Sequence, residues 1–118
     1  MSIRRVVPDI KSQRFDESTD FYVGLLGFEV AMDTEWIMTF ASPTNPTAQV
    51  SIMKRDATAN IDPDVSIEVA DVDSVHAQAL RRRDDIVYPL TDEPWNVRRF
   101  FVRDPNGFVV NVLSHIAD

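Results

Sequence analysis

The stretch Arg98–His115, RRFFVRDPNGFVVNVLSH, carries the plainest structural signal in the chain. Two runs rich in β-branched and aromatic residues flank Asp104, Pro105, Asn106 and Gly107. Asp at the first place of a turn, Pro at the second and Gly at the last predict a tight hairpin. Within the second run, from Phe108 to Leu113, Asn111 is the single strongly polar residue. Strand alternation sets it on one face with Val109 and Leu113. Such a residue is either a satisfied structural group or part of a site, since buried polar groups find partners whatever their purpose.

The same alternation runs upstream. DVSIEVA, from Asp64, reads as a strand, and DVDSVHAQALRRR, from Asp71, as a helix with Asp71 or Asp73 as N-cap and Val72, Val75, Ala79 and Leu80 on or near one face. IVYPL follows as a strand, and TDEPWN as a loop leading into the hairpin. The first half has the same order. IRRVVPDI is a strand, with Pro8 suggesting an edge or a strand end. RFDESTDFYVGLLG is a helix with Phe15, Tyr22, Leu25 and Leu26 at helical spacing and Gly27 as its terminator. FEVAM, WIMTFAS and AQVSIMK are three more strands. Residues 55–63 are polar and aperiodic, a linker. The chain therefore holds two βαβββ units, residues 1–54 and 64–118, roughly sixty residues apart. The expected fold is a single α+β domain: a curved, mostly antiparallel sheet, helices outside, inner faces enclosing a cleft.

Bulk properties narrow the function. The 118 residues, 44% apolar and 26% charged with only 3 Gly and 7 Pro, fit one ordinary globular domain. A net charge of −7 spread along the chain repels phosphate backbones, so no nucleic-acid partner is expected. The basic run Arg81–Arg83 suits the last turn of a helix. Without cysteine there is neither a disulfide framework nor thiol chemistry. No apolar run approaches the roughly 20 residues that span a bilayer, and no signal peptide is visible, so a soluble cytoplasmic protein without a membrane partner is expected. No Ser-His-Asp set at interpretable spacing, phosphate loop or nucleotide fingerprint is present.

With FYVGLLGF closing the first helix and RRFFVRDPNG leading into the last strand, the chain resembles the vicinal oxygen chelate superfamily: glyoxalase I, extradiol dioxygenases, fosfomycin resistance enzymes and bleomycin resistance proteins. EPWNVRRFFV is similar to a Pro-Trp-Gly pattern with a following Arg and leans toward the bleomycin-resistance-like branch. Asn96 stands where Gly is common, and Arg83 and Asp84 stand where Gly often ends the second helix. The resemblance implies a homodimer, because short members commonly pair to complete their clefts. It also implies that metal-dependent members carry ligands, typically His or Gln and Glu, on the first and last strand of each unit. The matching places here are Val6 or Val7, Gln49 or Ser51, Asp64, and Asn111. Of these only Asp64 suits a divalent cation, so no metal and no other cofactor is expected.

Candidate ligand-binding residues follow from alternation and from the resemblance together. Asp64, Ser66 and Glu68 share one face, as do Gln49, Ser51 and Met53, and polar groups converging on a concavity are the usual anatomy of a small-molecule pocket. Otherwise these faces simply meet solvent. Trp36, Met38 and Phe40 share a face of the third strand, and Trp95 lies in a loop; they stack on a ligand or belong to core or dimer interface. Among Arg98, Arg99 and Arg103, one clamps a carboxylate, with Arg98 the candidate, while at least two form solvated pairs. His76 reads as exposed, and His115 as lying past the pocket. The function expected is metal-free binding or sequestration of a small polar or cationic molecule. The alternatives are a divalent-metal-dependent glyoxalase-like lyase or dioxygenase using Asp64, and a degenerate copy without ligand.

Overall fold

The computed structural model describes residues 2–116. Eight strands form one sheet with two short helices: β1 (Ile3–Lys11), α1 (Phe15–Thr19), β2 (Glu29–Asp33), β3 (Ile37–Ala41), β4 (Gln49–Met53), β5 (Val65–Val69), α2 (Val72–Arg82), β6 (Asp85–Glu93), β7 (Val97–Arg103) and β8 (Val109–His115). Their order across the sheet is β2-β3-β4-β1-β5-β8-β7-β6, so each βαβββ unit forms one half. Within each half the first strand pairs in parallel with the last, β1 with β4 and β5 with β8, and the other pairs are antiparallel.

The halves join through β1 and β5, so β1 is interior rather than the edge that Pro8 suggested. The reason lies in the pairing. β1 partners β5 from Ile3 to Pro8 and β4 from Asp9 to Lys11. Pro8 sits at the hand-over, where its missing N–H interrupts neither ladder for long.

Each helix covers one half. Val72, Val75 and Ala79 of α2 pack on Val69, Phe100 and Val112. Phe15, Tyr22 and Phe28 pack on Met38, Phe40 and Ile52, with Tyr22 stacked on Phe40 at 5.2 Å between ring centroids. The first helix is not α-helical throughout: from Asp20 to Leu25 it is a π-helix, with Leu26 N–H donating to the Phe21 carbonyl five residues back. The extra residue per turn swings the positions after Tyr22 off the sheet. Leu25 and Leu26, expected inside, are therefore 69% and 55% exposed, and Leu80 likewise faces out.

The turn residues behave as their chemistry dictates. Asp71 caps α2, its Oδ1 accepting from Ser74 N–H at 3.2 Å. In the β7–β8 hairpin, Asp104 Oδ1 accepts from the N–H groups of Asn106 and Phe108, and Gly107 takes φ +90°. Arg83 and Asn96 both stand in the left-handed region, at φ 64° and 63°. The loop expected at 91–96 is shorter: β6 runs to Glu93 and only Pro94–Asn96 turn the chain into β7. His76, expected in solvent, instead sets its ring edge against Phe100 at 5.0 Å.

Candidate functional site

On the face away from the helices the sheet encloses a cavity of about 220 Å³. Period-two alternation decides what lines it. From β1 come Arg5, Val7 and Asp9, from β3 Ile37 and Thr39, and from β4 Ser51 and Met53. β5 supplies Ser66, β7 Val97 and Arg99, and β8 Asn111, Leu113 and His115. Met32, Thr34 and Trp36 from before β3, Asp56 and Pro63 from between the halves, and Trp95 from the β6–β7 turn complete the lining.

A band of polar side chains crosses this apolar lining. Strand register places Thr39 beside Ser51, Ser51 beside Asp9, and Ser66 beside Asn111. The Thr39 and Ser51 hydroxyls share a buried hydrogen bond of 2.8 Å. Asn111 Nδ2 donates to Ser66 Oγ at 3.0 Å, and Ser66 Oγ donates to Asp9 Oδ2 at 2.6 Å. Asn111 is only 6% exposed, and its Oδ1 has no hydrogen-bond partner among the described residues. Burial raises the Asp9 carboxyl to about 7, outweighing the Ser66 hydrogen bond that favours the charged form. Asp56 pushes the same way, while Arg99 and Arg5 oppose it.

At one end, Arg5 donates to Glu68 and Gln49, each at 2.6 Å, and His115 Nε2 lies 3.6 Å from Glu68 Oε2. His115 thus stands at the cavity rather than past it. At the other end, Arg99 is held by Asp56 and Glu93 and packs against the rings of Tyr88, Trp95 and Phe101. Asp56 belongs to the segment read as a mere linker. That segment is tied down by Asp56 and Thr58 and covers one end of the cleft.

The residues selected from sequence divide accordingly. Trp36, Ser51, Trp95 and Asn111 line the cavity, and Trp36 and Trp95 approach each other at 5.4 Å between ring centroids. Gln49 and Glu68 flank it through Arg5. Met38 and Phe40 point the other way, into the core under α1, because Trp36 belongs to the turn before β3 and does not set the strand's alternation. Asp64 spends Oδ2 on Val109 N–H at 2.8 Å and does not line the cavity. Arg98 faces outward and pairs with Asp92 and Asp73, while its neighbour Arg99 turns inward. Asp9 and Ser66's link to it escaped the sequence reading because Asp9 looks like a strand-end acid next to a proline. Its parity with Val7 was the available signal.

A family model for the glyoxalase/bleomycin resistance protein/dioxygenase superfamily matches residues 6–112. The chain belongs to this superfamily. Solved structures with the same fold include a superfamily member from Vibrio splendidus 12B01, 19% identical, with 96% of this chain and 99% of that one covered at TM-score 0.72. Methylmalonyl-CoA epimerase from Mycobacterium tuberculosis is 16% identical, covering 98% and 89% at TM-score 0.72. The Mn(II)-bound glyoxalase from Novosphingobium aromaticivorans is 19% identical, covering 98% of this chain and 39% of that one at TM-score 0.66. No curated protein matches the chain.

The polar band is poorly furnished for a divalent cation. At the level of the polar band the four central strands turn Val7, Asp9, Ser51, Ser66 and Asn111 inward: two hydroxyls, an amide, an alkyl group and a single carboxyl. Hard divalent ions and zinc need carboxylate or imidazole donors. Among the described residues no group of three or more His, Cys, Asp or Glu is placed to hold a metal ion. Both halves of the lining come from one chain, joined where β1 pairs with β5. Among the described residues no helix is long and apolar enough to cross a membrane.

Proposed function

We propose that this superfamily member binds a small organic molecule in its intramolecular cleft without a catalytic metal ion. The observation that carries the reading is Asn111 Oδ1, a buried acceptor in the cavity lining with no hydrogen-bond partner among the described residues. An unpaired buried carbonyl costs roughly 1–3 kcal/mol. A ligand N–H or O–H placed there recovers that cost. The cavity is below the roughly 300–1,000 Å³ of drug-sized sites, which supports a compact ligand with a flat body beside Trp36 and Trp95.

The test is a titration with a panel of small aromatic amines, amides and acids, following Trp emission and melting temperature. Saturable quenching and a raised melting temperature are expected for at least one class. A panel that moves neither signal removes the proposal and favours a copy without ligand.

One observation supports turnover as a second reading. A carboxyl with a pKa of about 7 in a cleft is poised for proton transfer near neutral pH. Recovery of the bound compound chemically altered, read by NMR, would establish this over sequestration. We also propose a homodimer, supported by the exposed Phe21, Leu25 and Leu26 beside the first helix. Sedimentation equilibrium at twice 13.4 kDa is expected, and a monomer across the micromolar range would refute it.

A further inference from the structure

The charged groups lining the cleft are unevenly paired. Arg5 is committed to Glu68 and Gln49, and Arg99 to Asp56 and Glu93. Asp56 is thereby matched with a cation. Asp9 is not: Ser66 is its only side-chain hydrogen-bond partner among the described residues, and it accepts through one oxygen. At the far end of that chain, Asn111 gives its N–H to Ser66 and leaves Oδ1 free. The polar band therefore presents two acceptors joined through one serine, with neither arginine of the lining free to neutralise an anion. A carboxylate or phosphate head would add acceptors where donors are lacking. A head carrying several N–H donors satisfies both.

We propose that the cleft takes a small flat cation, an amidinium or protonated aromatic amine, with its N–H donors placed on Asp9 and on Asn111 Oδ1. This rests on the small-molecule reading above and names the head group. The indoles of Trp36 and Trp95 in the cavity wall suit a flat body.

Proton linkage follows. In the empty cleft Asp9 is about half protonated at neutral pH, so a bound cation displaces its proton. The ionisable groups around Asp9 are Arg5 on its own strand, Glu68 on β5, Asp56 after β4, Arg99 on β7 and His115 on β8; β4 itself offers only Ser51 and Met53. His115, also in the lining and 3.6 Å from Glu68, serves as a control.

Isothermal titration of the full chain with benzamidine, benzamide and benzoate, molecules of like size, tests the assignment. Benzamidine is expected to bind with release of a proton, read from buffers of different ionisation heat. Its affinity is expected to fall about thirtyfold from pH 8.5 to pH 5.5 as Asp9 becomes protonated. Asp9→Asn should weaken binding at pH 8.5 and abolish the pH dependence, whereas His115→Gln should keep both. Asn111→Leu, which leaves charge unchanged, should also weaken benzamidine and serves if Asp9→Asn does not fold. Benzoate binding more tightly than benzamidine, or benzamidine binding equally at both pH values and to Asp9→Asn, overturns the head-group assignment while leaving the cleft a binding site. Silence of benzamidine while other members of the aromatic panel bind does the same. Silence of every compound removes both readings.

Discussion

Arg99 and Asp56 meet across 43 residues of sequence in a two-pronged ion pair, at 2.7 and 2.9 Å, with side chains 4% and 0% exposed. Glu93 accepts from the same guanidinium at 2.6 Å and also receives the hydroxyls of Tyr88 and Thr58. The pair fastens the segment between the two halves onto β7 and shapes one end of the cavity. Arg99→Met would leave two carboxylates buried without a cation, and a loss of about 3–5 kcal/mol in urea unfolding is expected. Adding Asp56→Asn and Glu93→Gln to Arg99→Met should recover part of it. A loss below 1 kcal/mol for the single variant would show that the pair is dispensable.

Asp9 predicts an unusual slope of stability with pH. Its carboxyl rises from 3.8 to about 7 on folding, so between these values the folded state holds a proton that the unfolded state has lost. Stability from this group is full below pH 4 and falls as pH rises to 7, by as much as about 4 kcal/mol. Asp9→Asn should match wild type at pH 4 and exceed it at pH 8 in chemical denaturation. Parallel stability curves for the two proteins would show that Asp9 titrates normally.

Asn111 offers a direct choice between a structural and a ligand-facing role. A polar residue that the fold relied on would cost about 1–3 kcal/mol when replaced. Here Oδ1 is already unpaired, so removing it offsets the lost bond to Ser66. Asn111→Leu is therefore expected to melt within a few degrees of wild type. A large drop in melting temperature would assign the residue to the fold.

Two left-handed residues predict unequal responses to glycine. Arg83 ends α2 at φ 64°, a conformation that costs a side-chain-bearing residue about 1–2 kcal/mol. Arg83→Gly should therefore stabilise by roughly 0.5–1 kcal/mol. Asn96 adopts φ 63°, which asparagine tolerates, so Asn96→Gly should change stability by less than about 0.5 kcal/mol. Thermal unfolding of both variants checks the contrast.

Metal dependence is open to elemental analysis. With Asp9 the single carboxyl among the inward residues Val7, Asp9, Ser51, Ser66 and Asn111, protein purified without chelator should carry less than about one-tenth equivalent of Ni, Zn, Mn or Fe. Near-stoichiometric metal that disappears in Asp9→Asn would reinstate a metal-dependent enzyme.

Sequence by itself determined the two βαβββ units, the DPNG hairpin, an aspartate cap on α2 at Asp71 or Asp73, and the shared parity of Ser51 with Gln49 and of Asn111 with Leu113, because these depend on residues near one another in the chain. Alternation and turn chemistry are local, and they specify element type and relative face. Tertiary structure decided what alternation cannot reach. The π-helical turn set Leu25 and Leu26 outside, the turn before β3 detached Trp36 from the face of Met38 and Phe40, and the β1–β5 joint brought Asp9 to Ser66 across 57 residues. The difference is physical: a strand's parity follows from its own backbone, whereas the partner of a buried carboxylate follows from which strands pair. The most informative groups of the cleft, Asp9 and the free oxygen of Asn111, belong to that second kind.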